Sequence, residues 1–199
     1  MISEAANNVF NLAIHDYHKF DEIDHVFENP YAADTLEHLL YLKCLIDTAQ
    51  WHMEDVVRNP EIDPQEGLYW KRRIDKQNQL RTDTVEYIDS FFLNKYKSIQ
   101  SLPDAKINTE SPAWAIDRLS ILCLKIYHMR EETERLTATE THRKQSFDKL
   151  NVLLMQQKDL SQSIDELIED IQQGKKKMKV YKQMKMYNDP NFNPVLYNK

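Results

Sequence analysis

DTLEHLLYLKCLIDTAQWHMEDVVR, residues 34–58, decides the fold. Asp34 with Glu37 three positions on reads as a capping box that starts a helix. Asn59-Pro60 ends it, because proline has no amide proton and crowds the preceding turn. At about 100° per residue, Leu39, Leu42, Ile46, Ala49, Met53 and Val57 share one side, while Leu36, Leu40, Cys44 and Trp51 share another. A helix that is apolar on two flanks has neighbours on both, which makes this one central. Between the flanks runs a narrow polar seam of Lys43, Asp47, Gln50 and Glu54, with Arg58 at its end. Polar groups between apolar flanks cost free energy unless partners meet them, so the seam predicts polar side chains arriving from other helices.

Glycine usage fixes the class. The chain has 2 glycines in 199 residues, where average usage gives roughly 14. Glycine-rich phosphate loops and tight hairpins are thereby largely excluded and long helices favoured. Neither a P-loop nor G-x-G-x-x-G occurs, which argues against a Walker or Rossmann nucleotide fold. A formal net charge of −6 argues against a whole-domain nucleic-acid footprint, and no nucleic-acid partner is expected. Cys44 and Cys123 lie in apolar stretches and read as buried thiols of a reducing compartment. The first residues, MISEAANNVFNLAIHDYHK, lack the basic start and apolar core of a signal peptide. No run reaches the roughly 18 apolar residues of a membrane span. We therefore expect a cytoplasmic protein.

Outward from the central stretch, Ser3, Glu4 and Ala5 start a first helix with Phe10, Ala13, Ile14 and Tyr17 at helical spacing. It is expected to run on through Ile23 and Val26 to Phe27, before Asn29-Pro30. Asp63-Pro64 supplies an N-cap and first-turn proline for a helix reaching about Ser98, with Trp70, Ile74, Val85, Ile88 and Phe92 as its core stripe. Asn78 and Arg81 fall inside that apolar arc. Ser111-Pro112 repeats the start signal for WAIDRLSILCLKIYHM, which is apolar nearly all round and hence also central. Its polar exceptions, Asp117, Lys125 and His128, cluster within about 80°, with Arg118 just beyond. Thr139 caps a last long helix ending near Gly174. There Phe147, Leu150, Leu154, Gln157, Ile164, Ile168 and Ile171 form a 3-4 repeat that Ser161 breaks, a stripe with two polar slots.

The lysine-rich stretch 175–186 reads as an amphipathic segment suited to peripheral membrane contact or a partner, and the Asn/Pro-rich end as extended chain. The expected fold is all-α: an antiparallel bundle of four to five long helices with an extended C-terminal tail. Its division is a bundle domain over 1–174, then the lysine-rich segment and tail over 175–199.

Ten out-of-place polar residues on three helices form the candidate ligand-binding site: Lys43, Asp47, Gln50, Glu54, Asn78, Arg81, Asp117, Arg118, Lys125 and His128. Arg81 and Arg118 can clamp a phosphate or carboxylate, and Asp47, Glu54 and Asp117 can accept sugar hydroxyls or act as a base. The alternative is a self-satisfied ion-pair network that fixes helix register and binds nothing. No metal site is assigned. Glu22-Ile-Asp-His25 has no second Glu-x-x-His to complete a di-iron set, and Glu86-Tyr-Ile-Asp89 has no E-x-x-E upstream. His38, His52 and His128 fail as a trio, since His38 and His52 stand four turns apart on one helix.

EHLLYLKCLIDTAQWHMEDVVR, NQLRTDTVEYID, AWAIDRLSILCLKIYHM and KMYNDPNFNP, taken together, resemble the bacterial family named domain of unknown function 4254, over nearly the whole chain. The resemblance implies an all-α cytoplasmic protein, often encoded beside glycosyltransferases that build surface polysaccharide, and hence a glycosyltransferase partner. It carries over no catalytic residue. The leading expectation is an accessory or binding protein of surface-glycan assembly, holding an anionic sugar or sugar nucleotide, with no cofactor. One alternative is a metal-assisted phosphohydrolase using Asp47, Glu54 and Asp117, the one reading that brings in a divalent metal. Another is a ligand-free structural homo-oligomer whose tail crosses to a neighbour.

Overall fold

Side-chain caps set the starts of four of the five long helices. The computed structural model describes residues 1–186 and 189–197. It contains α1 (Ile2–Tyr17), α2 (Leu36–Val57), α3 (Pro64–Tyr96), α4 (Pro112–Glu134), α5 (Glu140–Gln172) and a short α6 (Pro194–Tyr197). Asp63 accepts from the Gln65 and Glu66 amides, Ser111 from Trp114 and Thr139 from His142, each satisfying donors that a helix start leaves open. For α2 the cap is Thr35 rather than Asp34, because the Thr35 hydroxyl accepts from the His38 amide at 3.2 Å.

The long helices form an all-α antiparallel bundle with α2 and α4 inside. α2 packs on α1, α3 and α4, and α4 packs on α1, α3 and α5. The main core joins Phe10, Leu40, Cys44, Val85, Phe92, Ile116, Leu124, Ile164 and Ile168. The polar slots of α5 have a common partner in Asn7 of α1. Asn7 accepts from Gln157 at 2.8 Å and from the Cys123 thiol at 3.3 Å, and donates to Ser161 at 3.1 Å. Both cysteines are free and buried. Burial pushes their thiols up, Cys123 to about 11, so neither is a ready nucleophile. No helix among the described residues is long and apolar enough to cross a membrane.

Two expectations are corrected, the end of α1 and the form of the tail. α1 stops at Tyr17 instead of reaching Phe27, because Asp21 takes a left-handed backbone (φ 53°) and reverses the chain. Ile23 and Phe27 then fold back on Tyr17, Ala49, Met53 and Ile74 as a second core, which a continued helix would have carried away from the bundle. The lysine-rich stretch is extended. Gly174 (φ 71°) ends α5, and backbone bonds tie Lys106 to Lys175 and Lys177, both at 3.0 Å, so the chain leaves extended. It lies along α3, where Gln183 donates its amide to Glu86 and Lys185 donates to Thr82 and the Asn78 carbonyl. The tail is not wholly extended: Asp189 accepts from the Asn191 amide, Asn193 accepts from the Val195 amide, and α6 follows. Tyr187, Asn188, Asn198 and Lys199 lie outside the described residues.

Candidate functional site

Lys43 is the innermost member of the seam, with no exposed side-chain surface. Its ammonium donates to Asp47 one turn on in α2 and to the Asp117 backbone carbonyl at 3.0 Å, and it lies 3.0 Å from Asp117 Oδ1. From α3, Arg81 grips the same Asp117 with two parallel bonds, Nε to Oδ1 at 2.8 Å and Nη2 to Oδ2 at 2.5 Å. Its Nε also lies 3.6 Å from Asp47 Oδ1. Ser120, one turn beyond Asp117 in α4, donates to Asp47 at 2.6 Å. Two cations and two carboxylates thus cancel in charge, and their burial makes each partner costly to remove.

The two carboxylates are driven in opposite directions. Burial pushes Asp47 up, and the neighbouring Asp117 adds to this against the pull of Lys43 and Ser120. Burial would raise Asp117 as well, but Lys43 and the bidentate Arg81 outweigh it and hold that carboxyl below the usual range. Asp47 is therefore the member of the quartet that takes up a proton first.

Along α2 the seam opens. Side-chain exposure rises from 4% at Asp47 to 38% at Glu54 and 66% at Arg58, so the quartet is sealed at one end and meets solvent at the other. The outer part borders a cleft of about 410 Å³, with Asp47 and Arg81 in its lining, Trp51, Ile121 and Leu124 as apolar wall, and Gln50, Glu54, Asp55 and Arg58 as polar rim. Gln50 donates to Asn78 at 3.0 Å. Its own Oε1 is buried and has no hydrogen-bond partner among the described residues. A buried acceptor left in that state costs free energy, which a donor entering the cleft would recover.

Of the ten residues expected at one site, Lys43, Asp47, Gln50, Glu54, Asn78, Arg81 and Asp117 come together. Arg118 does not: it is 65% exposed and bonds Glu110 at 2.6 Å. Helical geometry turns adjacent residues about 100° apart, so Asp117 inside puts Arg118 outside. Lys125 is exposed too. Arg58, only the seam's terminus by sequence, lines the cleft, along with Asp55.

His128 belongs to a second cluster. Its ring stacks on Trp51 (centroids 5.0 Å apart, planes 13° apart) and lies 5.2 Å from the His18 ring and 5.6 Å from the His52 ring. The trio is therefore His18, His52 and His128, not His38, which turns its Nδ1 to the Tyr31 carbonyl at 3.0 Å. His18 had no sequence signal: it caps the end of α1 with near-helical backbone, and the packing of α1 on α2 and α4 turns it to this spot. Trp51 is shared: it lines the cleft and backs the histidines.

The family model described as "Protein of unknown function (DUF4254)" matches residues 37–180, so the chain belongs to that family. The matched span holds α2 to α5 and every member of the seam. No curated protein matches the chain, and no solved structure does either.

Proposed function

We propose that this DUF4254 protein binds a small hydroxylated anion, of the sugar phosphate or sugar nucleotide type, in the cleft between α2, α3 and α4. The observation that carries this reading is the cleft with an indole wall, lined by Gln50, whose buried Oε1 has no partner among the described residues. The Glu54 and Asp55 carboxylates are acceptors for ligand hydroxyls, Gln50 Oε1 becomes one when its side chain turns into the cleft, and the Trp51 edge offers apolar contact to a sugar ring. A cleft of about 410 Å³ suits a ligand of that size.

The anionic end falls to Arg58. Arg81 has its Nε and Nη2 committed to Asp117, and Arg118 is held outside by Glu110. Among the described residues Arg58 is anchored only by loose contacts, 3.5 Å to Glu54 and 3.9 Å to Asp55, which let it turn toward a phosphate. With Lys43 and Arg81 already neutralising Asp47 and Asp117, binding without chemistry is favoured over metal-assisted hydrolysis. In this reading the protein serves bacterial surface-glycan assembly as an accessory to glycosyltransferases, presenting or sequestering an activated sugar.

The test is thermal unfolding with UDP-glucose and with glucose 1-phosphate, each without metal. Binding at 100 times the dissociation constant adds about 2.7 kcal/mol, and Gln50→Met and Arg58→Met should each abolish most of the shift while Arg118→Met keeps it. A shift that survives Gln50→Met, or no shift with either compound, overturns the proposal.

A further inference from the structure

Three imidazoles and a carboxylate meet where the end of α1 crosses α2 and α4. One ring nitrogen from each of His18, His52 and His128 lies within 4.8 Å of the other two. The Nε2 atoms of His18 and His52 are 3.2 Å apart. Two nitrogen ligands of one tetrahedral metal, each at about 2.0–2.1 Å, sit about 3.3 Å from each other. For this pair the spacing already matches.

Proton positions agree. His18 Nδ1 is 2.7 Å from the Ile14 carbonyl oxygen, which only accepts, so the His18 proton is on Nδ1 and its Nε2 presents a lone pair. His128 turns Nδ1 to the Glu131 carboxylate at 2.8 Å, leaving its Nε2 buried and without a partner among the described residues. A carbonyl on one imidazole and a carboxylate on another, each behind the ligand nitrogen, is how metal-binding histidines are oriented. Asp21 supplies an oxygen: Oδ1 lies 3.8 Å from His52 Nε2, on the left-handed residue that reverses the chain.

We propose that His18, His52 and His128, with Asp21 completing the shell, bind one divalent transition-metal ion, zinc by preference. Three imidazoles with one carboxylate suit zinc and leave out magnesium and calcium, which take oxygen. On binding, the proton shared between His18 and His52 moves from His52 Nε2 to its Nδ1, and the metal takes the freed lone pair. The ion joins the segment after α1 to α2 and α4, fastening the second core and fixing the Trp51 face that backs the cleft.

The test uses the full chain without a histidine tag, stripped of metal, titrated with zinc by calorimetry and with cobalt(II) by visible absorption. We expect one zinc per chain, the visible bands of tetrahedral cobalt, and a higher unfolding temperature with zinc. His128→Phe keeps a ring against Trp51 and should lose the site, as should His52→Phe, with helix content checked by circular dichroism. Glu131→Gln alters only a 53% exposed group, so it folds regardless, and should weaken zinc about 10–100-fold. Asp21→Asn should weaken zinc as well, and His142→Gln should not. No stoichiometric zinc in the wild-type chain, or zinc binding unchanged in folded His128→Phe and in Glu131→Gln, overturns the proposal. Unchanged binding in Asp21→Asn removes Asp21 from the shell.

Discussion

Arg81 and Asp117 face each other from α3 and α4 as a two-bonded fork, 2.8 Å and 2.5 Å, with Lys43 of α2 also 3.0 Å from Oδ1 of the same carboxylate. One aspartate thus ties three helices together at a point where solvent reaches only Arg81, 26% exposed. The fork also decides chemistry: a guanidinium so engaged holds register and leaves anion contact to Arg58.

Lys43→Met is expected to be the most damaging single change in the quartet. It leaves Asp47 and Asp117 to share one cation, a loss of about 3–5 kcal/mol for a broken buried pair. Lys43→Met combined with Asp47→Leu should recover most of it, since Arg81 and Asp117 then balance alone. Urea unfolding of the single and double variants measures both. A double variant no better than the single one would mean that the quartet does not act as a charge-balanced unit.

Asp89 makes stability fall as pH rises. Burial pushes its carboxyl from 3.8 up to about 6, against hydrogen bonds from the Ser111 hydroxyl and the Ala113 backbone. The folded chain holds this proton more tightly than the unfolded chain, so the contribution is complete below about pH 4 and lost by about pH 6. Asp89→Asn should remove a loss of up to about 3 kcal/mol across that window, read as the wild-type minus variant difference at pH 4, 5, 6 and 7. A constant difference would refute the assignment.

Gly174 is needed for its backbone. It sits at φ 71°, and an added Cβ would come 2.6 Å from the Gln100 carbonyl oxygen. Its own carbonyl accepts from Leu102 at 2.9 Å, so backbone must shift to make room. Gly174→Ala should cost at least about 1–2 kcal/mol, or roughly 2–4 °C of Tm per kcal/mol. The second glycine is the control. Gly67 meets only a flexible Ile62 methyl at 3.8 Å and has helical backbone, so Gly67→Ala should be neutral or stabilising.

Asn7 should be hard to replace by an isosteric apolar residue. Asn7→Leu strips the acceptor from Gln157 and Cys123 and the donor from Ser161, for about 1–3 kcal/mol. Adding Gln157→Leu should return part of that, because the stranded amide is then gone. The coupling between the two changes in chemical denaturation is the readout.

Local signals in the sequence determined the helices. Asp63-Pro64, Ser111-Pro112 and Thr139 place starts within a residue, because a cap is a contact between neighbours and needs no tertiary partner. The scarcity of glycine and the two all-round apolar stretches likewise determined an all-α bundle with α2 and α4 inside. Periodicity also brought Asp47, Arg81 and Asp117 to one spot, since each breaks an apolar arc and such breaks must meet. Tertiary structure alone decided the rest. Which edge of the arc turns inward depends on how the helix is rotated against its neighbours, which brings Asp117 inside and leaves Arg118 and Lys125 on the surface. The reversal at Asp21 depends on where Ile23 and Phe27 find apolar cover, and the packing of α1 on α2 and α4 brings His18 to His52 and His128 across long stretches of chain. Contacts between residues far apart in sequence have no period, and only the folded chain contains them.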